Sequence, residues 1–169
     1  MAHYKIDVIG ILNPDVIIPN SDVIENMIFT LESDSSYAVA AGVAITAANE
    51  FNINNSCWDI PSSRELVRDH FLLNHRKQKT RNLKLLGANF TKTECVAGCF
   101  FFVKADYFKN LGYFDENVFL YNEENILGIK CKKAGYKEIV VLDQFYIHNH
   151  KYHKAQNLSF KQKLNSCHS

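Results

Sequence analysis

The chain has 169 residues, 47% of them hydrophobic, with 19 basic and 18 acidic side chains and a formal net charge of +1. That length and apolar content bury the core of one globular unit, and nothing in them calls for a second. The balanced charge excludes a general nucleic-acid footprint, no apolar run approaches a membrane span, and no signal-peptide pattern opens the chain.

Taken in chain order, Ile6 to Leu12 reads as a buried strand that stops at Asn13-Pro14-Asp15. Asp15 then falls just past the carboxyl end of the strand, the edge at which open α/β sheets bind ligands. A carboxylate there suits a hard cation such as Mg²⁺ or Mn²⁺ bridging to a diphosphate, although Asn-Pro-Asp is also an ordinary turn. Ser21, Asp22 and Glu25 read as a capping-box helix start, with Val23, Ile24, Met27, Ile28 and Leu31 on one face. Tyr37 to Ile45 is a second buried strand, and Ala47 to Pro61 reads as a polar loop. Ser62 to Glu65 starts another helix, with Leu66, Val67, His70 and Phe71 at helical spacing.

The basic stretch at 75–84 reads as a solvated face, with contact to an acceptor phosphate or an anionic membrane as the functional alternative. Cys95 to Val103 is a near-continuous apolar run, read as a central strand in which Gly98 lets something approach the backbone closely. A short helix follows and stops at Gly112. The segment Phe114 to Glu124 leads into a helix ending at Lys133-Ala134-Gly135, with Asn122 as its cap and Glu123 and Glu124 in its first turn. Ile139 to Leu142 and Phe145 to His148 close the sheet. The five cysteines, Cys57, Cys95, Cys99, Cys131 and Cys167, form no CxxC pair and read as free thiols in a reducing cytoplasm. His148, His150 and His153 form an H-x-H-x-x-H run, with no cysteine at ligand spacing to favour zinc.

The ordered segments LNPDV at 12–16, VAGCFFFVKADYF at 96–108, GYFDENVFLYNEEN at 112–125, KAGYK at 133–137 and the strand ending in His148 resemble a family 2 glycosyltransferase of the rhamnosyltransferase-like kind. The resemblance covers residues 6–150 and implies an α/β fold, a partial GT-A (Rossmann-like nucleotide-diphospho-sugar transferase) sheet with flanking helices. Residues 151–169 form a polar tail.

What the resemblance implies for individual residues is specific. Asp15 matches the last acid of the metal-binding DxD-type motif, with Asn13 in place of its first acid. Glu124 matches the second member of the acidic pair, the usual base, and Glu123 the first. His148 matches a histidine near metal and diphosphate, and Gly98 a backbone position close to sugar or acceptor. Ile126 and Lys130 stand where the family commonly has another acid and a downstream arginine, Lys130 keeping the charge without the bidentate grip. The implied function is metal-assisted, inverting transfer from a nucleotide sugar to a saccharide or lipid-linked acceptor in surface polysaccharide synthesis. The implied compartment is the cytoplasm, at the inner face of the membrane.

Family members begin with a nucleotide-binding βαβ half, and this chain starts almost directly on the strand before Asp15. The strand at 6–12, internal in the family fold, is therefore expected to be a bare edge, open to a homodimer or to a separately encoded N-terminal half. The alternative function is a non-catalytic remnant or partner subunit that needs such a half.

Overall fold

The computed structural model describes residues 5–46, 52–62, 64, 89–116, 118 and 122–149. The helix expected to carry Leu66 to Phe71, the basic stretch at 75–84, His150, His153, Cys167 and the tail lie outside the described residues.

Six strands form the main sheet: β1 (Val8–Leu12), β2 (Val16–Ile17), β3 (Tyr37–Thr46), β5 (Phe90–Thr93), β7 (Phe100–Lys104) and β8 (Lys137–His148). Their order is β1-β7-β3-β8-β2, and β5 pairs with the beginning of β8. The short strands β4 (Cys57–Trp58) and β6 (Cys95–Val96) form a separate antiparallel ribbon. β3 runs parallel to β8 and antiparallel to β7, which in turn is antiparallel to β1. β1, β3 and β8 therefore point the same way, and their carboxyl ends share one edge of the sheet.

Burial explains the centre. Tyr37 to Ala44 are all buried, as expected of a strand covered on both faces, and their small side chains let neighbours pack closely. One face is covered by α1 (Asp22–Glu32), which buries Val23, Met27 and Leu31 at the expected spacing. The opposite face is covered by α2 (Ala105–Asn110) and α3 (Glu123–Lys133), through Phe108, Leu127 and Cys131. Among the described residues, no helix is long and apolar enough to cross a membrane.

Several expectations are corrected. Cys95 to Val103 is two strands, broken at Ala97-Gly98-Cys99, because β6 leaves the main sheet to pair with β4. The β4 half of that ribbon, with a 3₁₀ turn at Ile53–Asn55, lies in the region read as polar loop. Ser21 makes no capping bond; Asn20, one residue earlier, accepts the Val23 N–H at 3.3 Å instead. Asn122 occupies the cap position of α3 with left-handed φ of 73°, and its side chain accepts from Asn125 Nδ2 rather than from a backbone N–H. The closing strands are one continuous β8.

β1 is the outermost strand, paired among the described residues with β7 alone. Leu12 and the neighbouring Ile6 are 53% and 65% exposed.

At the opposite end of β8, Glu138 is buried, and its Oε2 accepts the Val96 N–H at 2.8 Å. Beside the Val96 N–H, the Cys131 thiol is its polar neighbour. Burial pushes this carboxyl up to about 8. The folded chain thus holds a proton that the unfolded chain has released, so stability present in acid is lost as pH rises through about 8. Glu138→Gln keeps an acceptor for Val96 and removes the ionisation. Urea unfolding at about pH 5 and about pH 9 should show a marked alkaline loss of stability for the parent and a much flatter profile for the variant. Equal pH dependence of the two proteins would contradict this.

Candidate active site

The sheet edge where β1, β3 and β8 end gathers residues far apart in sequence. Past β1, Pro14 stops the strand and a turn closes with the Val16 N–H on the Asn13 carbonyl at 3.1 Å. The Asn13 N–H donates to the Cys99 carbonyl at 2.8 Å, tying the turn to the break between β6 and β7. On the other side, the Asn149 N–H donates to the Asp15 carbonyl at 2.9 Å, and Val16 is in register with His148. Asp15 is thereby held between two non-adjacent parts of the edge.

The result is a side-chain pair. His148 Nε2 stands 3.4 Å from Asp15 Oδ2, both partly exposed. Two adjacent ligands of an octahedral cation, each about 2.1 Å from it, stand about 3 Å apart, so this pair suits one Mn²⁺ or Mg²⁺. Among the described residues no cluster of three histidines, cysteines or acids completes a protein-only site. Small divalent cations of this kind commonly take one or two protein ligands together with substrate phosphates. The carboxylate-plus-imidazole set favours Mn²⁺ of the two.

The acidic pair approaches the same break from α3. An added Cβ on Gly98 would lie 3.8 Å from the Glu124 carboxyl carbon. The space predicted beside Gly98 is therefore filled by Glu124 itself. Burial pushes the Glu124 carboxyl above its ordinary range, and the neighbouring Glu123 charge adds to the shift. Glu123 Oε2 is buried without a hydrogen-bond partner among the described residues. The two acids thus sit where a proton acceptor with raised basicity and a polar guest would both be accommodated.

α3 is held in this place by contacts that sequence reading did not single out. Gly128, one turn beyond Glu124, packs on the link between β5 and β6; a Cβ there would clash with the Glu94 carbonyl oxygen. Glu94 accepts from the Ile60 N–H and pairs with Lys132. Trp58 Nε1 donates to Asn125 Oδ1 at 2.8 Å, anchoring the helix start to β4. A glycine inside a helical pattern was the available signal, since it usually marks a packing requirement. Lys130 is placed differently: its ammonium donates to the Tyr113 carbonyl at 2.8 Å, bracing the loop before α3.

Cys99 and Cys95 are buried, as expected. The Cys99 thiol and Tyr146 hydroxyl lie 3.0 Å apart, and burial pushes both upward. Burial likewise raises the Cys57 thiol to about 11, and the four described cysteines are free and buried.

This mixed sheet, in which β1, β3 and β8 end at one edge, matches a partial GT-A-like glycosyltransferase fold. The chain is similar to the crystal structure of GalNAc-T7 with UDP, GalNAc and Mn²⁺, with a TM-score of 0.56 at 14% identity. The similarity covers 85% of this chain and 28% of that one, so the chain spans little more than a quarter of its neighbour's length. No protein-family model matches the chain, and no curated protein matches it in sequence.

Mn²⁺ titration followed by calorimetry, in the presence of UDP, should give saturable binding to the parent chain. Asp15→Ala and His148→Ala should each weaken it by about tenfold or more. Unchanged Mn²⁺ affinity in both variants would remove the pair from any metal site.

Proposed function

We propose that the chain is a glycosyltransferase, or the catalytic part of one, of the family 2, rhamnosyltransferase-like kind. In this reading it moves a sugar from a nucleotide-diphosphate donor to a saccharide or lipid-linked acceptor with inversion at the anomeric carbon. The observation that carries the reading is the meeting of Asp15–His148 and Glu124 around the Asn13–Cys99 tie at one sheet edge.

Asp15 and His148 would hold a divalent cation, which when bound neutralises the departing diphosphate. Glu124 accepts the proton of the acceptor hydroxyl as that oxygen bonds to the anomeric carbon. The bond from that carbon to the diphosphate oxygen breaks, and the nucleoside diphosphate leaves with the electron pair. The raised basicity of Glu124 suits this task, and Glu123 keeps the neighbouring field negative. Asn13 orients the loop carrying Asp15, and the Gly98 backbone borders the Glu124 carboxyl. Lys130 secures the wall of the donor site through the 113–116 loop. By the same motif resemblance, the product belongs to surface polysaccharide and the reaction to the cytoplasmic face of the membrane.

A second reading has its own support. The outermost position and apolar character of β1 suit a chain that gains a neighbouring strand from a second copy or a separate N-terminal half. In that reading the isolated chain keeps the fold with little transfer of its own.

Glu124→Gln should leave donor binding within about twofold and lower transfer by roughly 100-fold or more. Because the base must be unprotonated, the parent rate should fall as pH drops through a value above the ordinary glutamate range. Transfer by Glu124→Gln at the parent rate would eliminate Glu124 as the base.

A further inference from the structure

A groove of about 290 Å³ opens away from the Asp15–His148 edge, between α1, β5 and the middle of β8. It arises from the way β8 is paired. On the side away from β3, β8 pairs with β5 as far as Val141 and with β2 only from Ile147. Between those points the described residues supply no partner strand. On the β3 side the register also slips: β3 advances from Ala41 to Val43 while β8 advances from Val140 to Phe145. The extra residues form a bulge in β8. Gly42 accommodates the bulge, since a Cβ there would lie 2.8 Å from the Gln144 carbonyl oxygen.

The groove is lined in a distinctive way. Phe29 is 76% exposed and interrupts the outward face of α1, where the amphipathic pattern calls for a polar residue. Phe90, half-buried and set edge-on to Tyr37, lines the same groove. Around these rings stand Asn26, Asn89, Asp143 and Gln144. Three of them form one preset network. Asn89 Nδ2 donates to Asp143 Oδ2 at 2.6 Å and Gln144 Nε2 to Asp143 Oδ1 at 3.2 Å. Each carboxylate oxygen and each amide keeps further donor or acceptor capacity. The Asp143 carboxylate at the centre of this network disfavours an anionic guest.

An exposed ring bordered by amides and a carboxylate matches one ligand class closely. A neutral pyranose has a flat C–H face that stacks on an aromatic ring, and a rim of hydroxyls that both donate and accept hydrogen bonds. We propose that this groove is a binding site for a neutral saccharide, with Phe29 as the stacking platform and Asp143, Asn89 and Gln144 as the hydroxyl-reading rim. Occupancy of the groove does not require the chain to transfer sugar. Asp143 precedes His148 by five positions on β8, or roughly 16 Å of extended strand, so the groove is separate from the sheet edge.

The test is calorimetry and saturation-transfer NMR of the full chain with a panel of neutral trisaccharides built from glucose, mannose, galactose and N-acetylglucosamine at millimolar concentration. At least one should bind, with saturation transfer strongest at ring C–H protons. Phe29→Ala should weaken binding by about tenfold and Asp143→Ala comparably, while Asp15→Ala should leave it unchanged. Phe29 is on the surface, so its removal should leave the melting temperature close to that of the parent. The proposal is overturned if no member of the panel binds. It is equally overturned if binding survives Phe29→Ala or is lost in Asp15→Ala, which would place the sugar at the sheet edge instead.

Discussion

Parallel pairing of β3 with β8 decides where every functional group in this chain can go. Tyr37 to Thr46 lies beside Lys137 to His148, and the last pair of that ladder, Thr46 with His148, brings both strands to a common end. β7, antiparallel to β3, starts at that end, and β1, antiparallel to β7, finishes there. A strand-crossing pattern of this kind turns widely separated sequence positions into neighbours at one edge without any contact between the side chains being required first. The Asp15–His148 pair and the Asn13–Cys99 tie are consequences of that geometry.

The placement of Glu124 depends on a second layer of constraints. α3 is pressed against the segment from Glu94 to Gly98 by Gly128 at one point and by Glu124 itself at another. Glu138 holds the same segment from below through the Val96 N–H. Burial of Glu138 is unfavourable in its ionised form, and its bond to the Val96 N–H ties β6 to the start of β8. Glu124 and the Asp15–His148 pair are thus supported by different elements that meet near residues 97–99.

Much of this was legible in the sequence, and the reasons are physical. Asp15 could be placed because Pro14 cannot continue a ladder, and Glu123 and Glu124 because carboxylates in a first turn mark a helix start. The α1 face followed from spacing alone. The break at Ala97-Gly98-Cys99 was not legible, since apolar runs look alike whether they form one strand or two in different sheets. The ribbon of β4 with β6 was hidden because its Cys57–Trp58 partner sits among polar residues. Glu138 was passed over because a single carboxylate inside Lys137 to Leu142 reads as a surface position, whereas its strand is covered on both sides. Likeness to GalNAc-T7 at 14% identity speaks to the fold, and the site reading stands on the residues that the fold brings together.

The proposal stands or falls on whether the Asp15–His148 pair binds a divalent cation beside the Gly98–Cys99 break. Backbone amide NMR of the labelled chain, titrated with substoichiometric Mn²⁺ and UDP, tests it directly, because the paramagnetic ion broadens only nearby resonances. The account predicts selective loss of the signals of Asp15, Val16, Gly98, Cys99, His148 and Asn149, with Glu124 affected at the margin. Broadening centred elsewhere on the chain, or none at all, would contradict it.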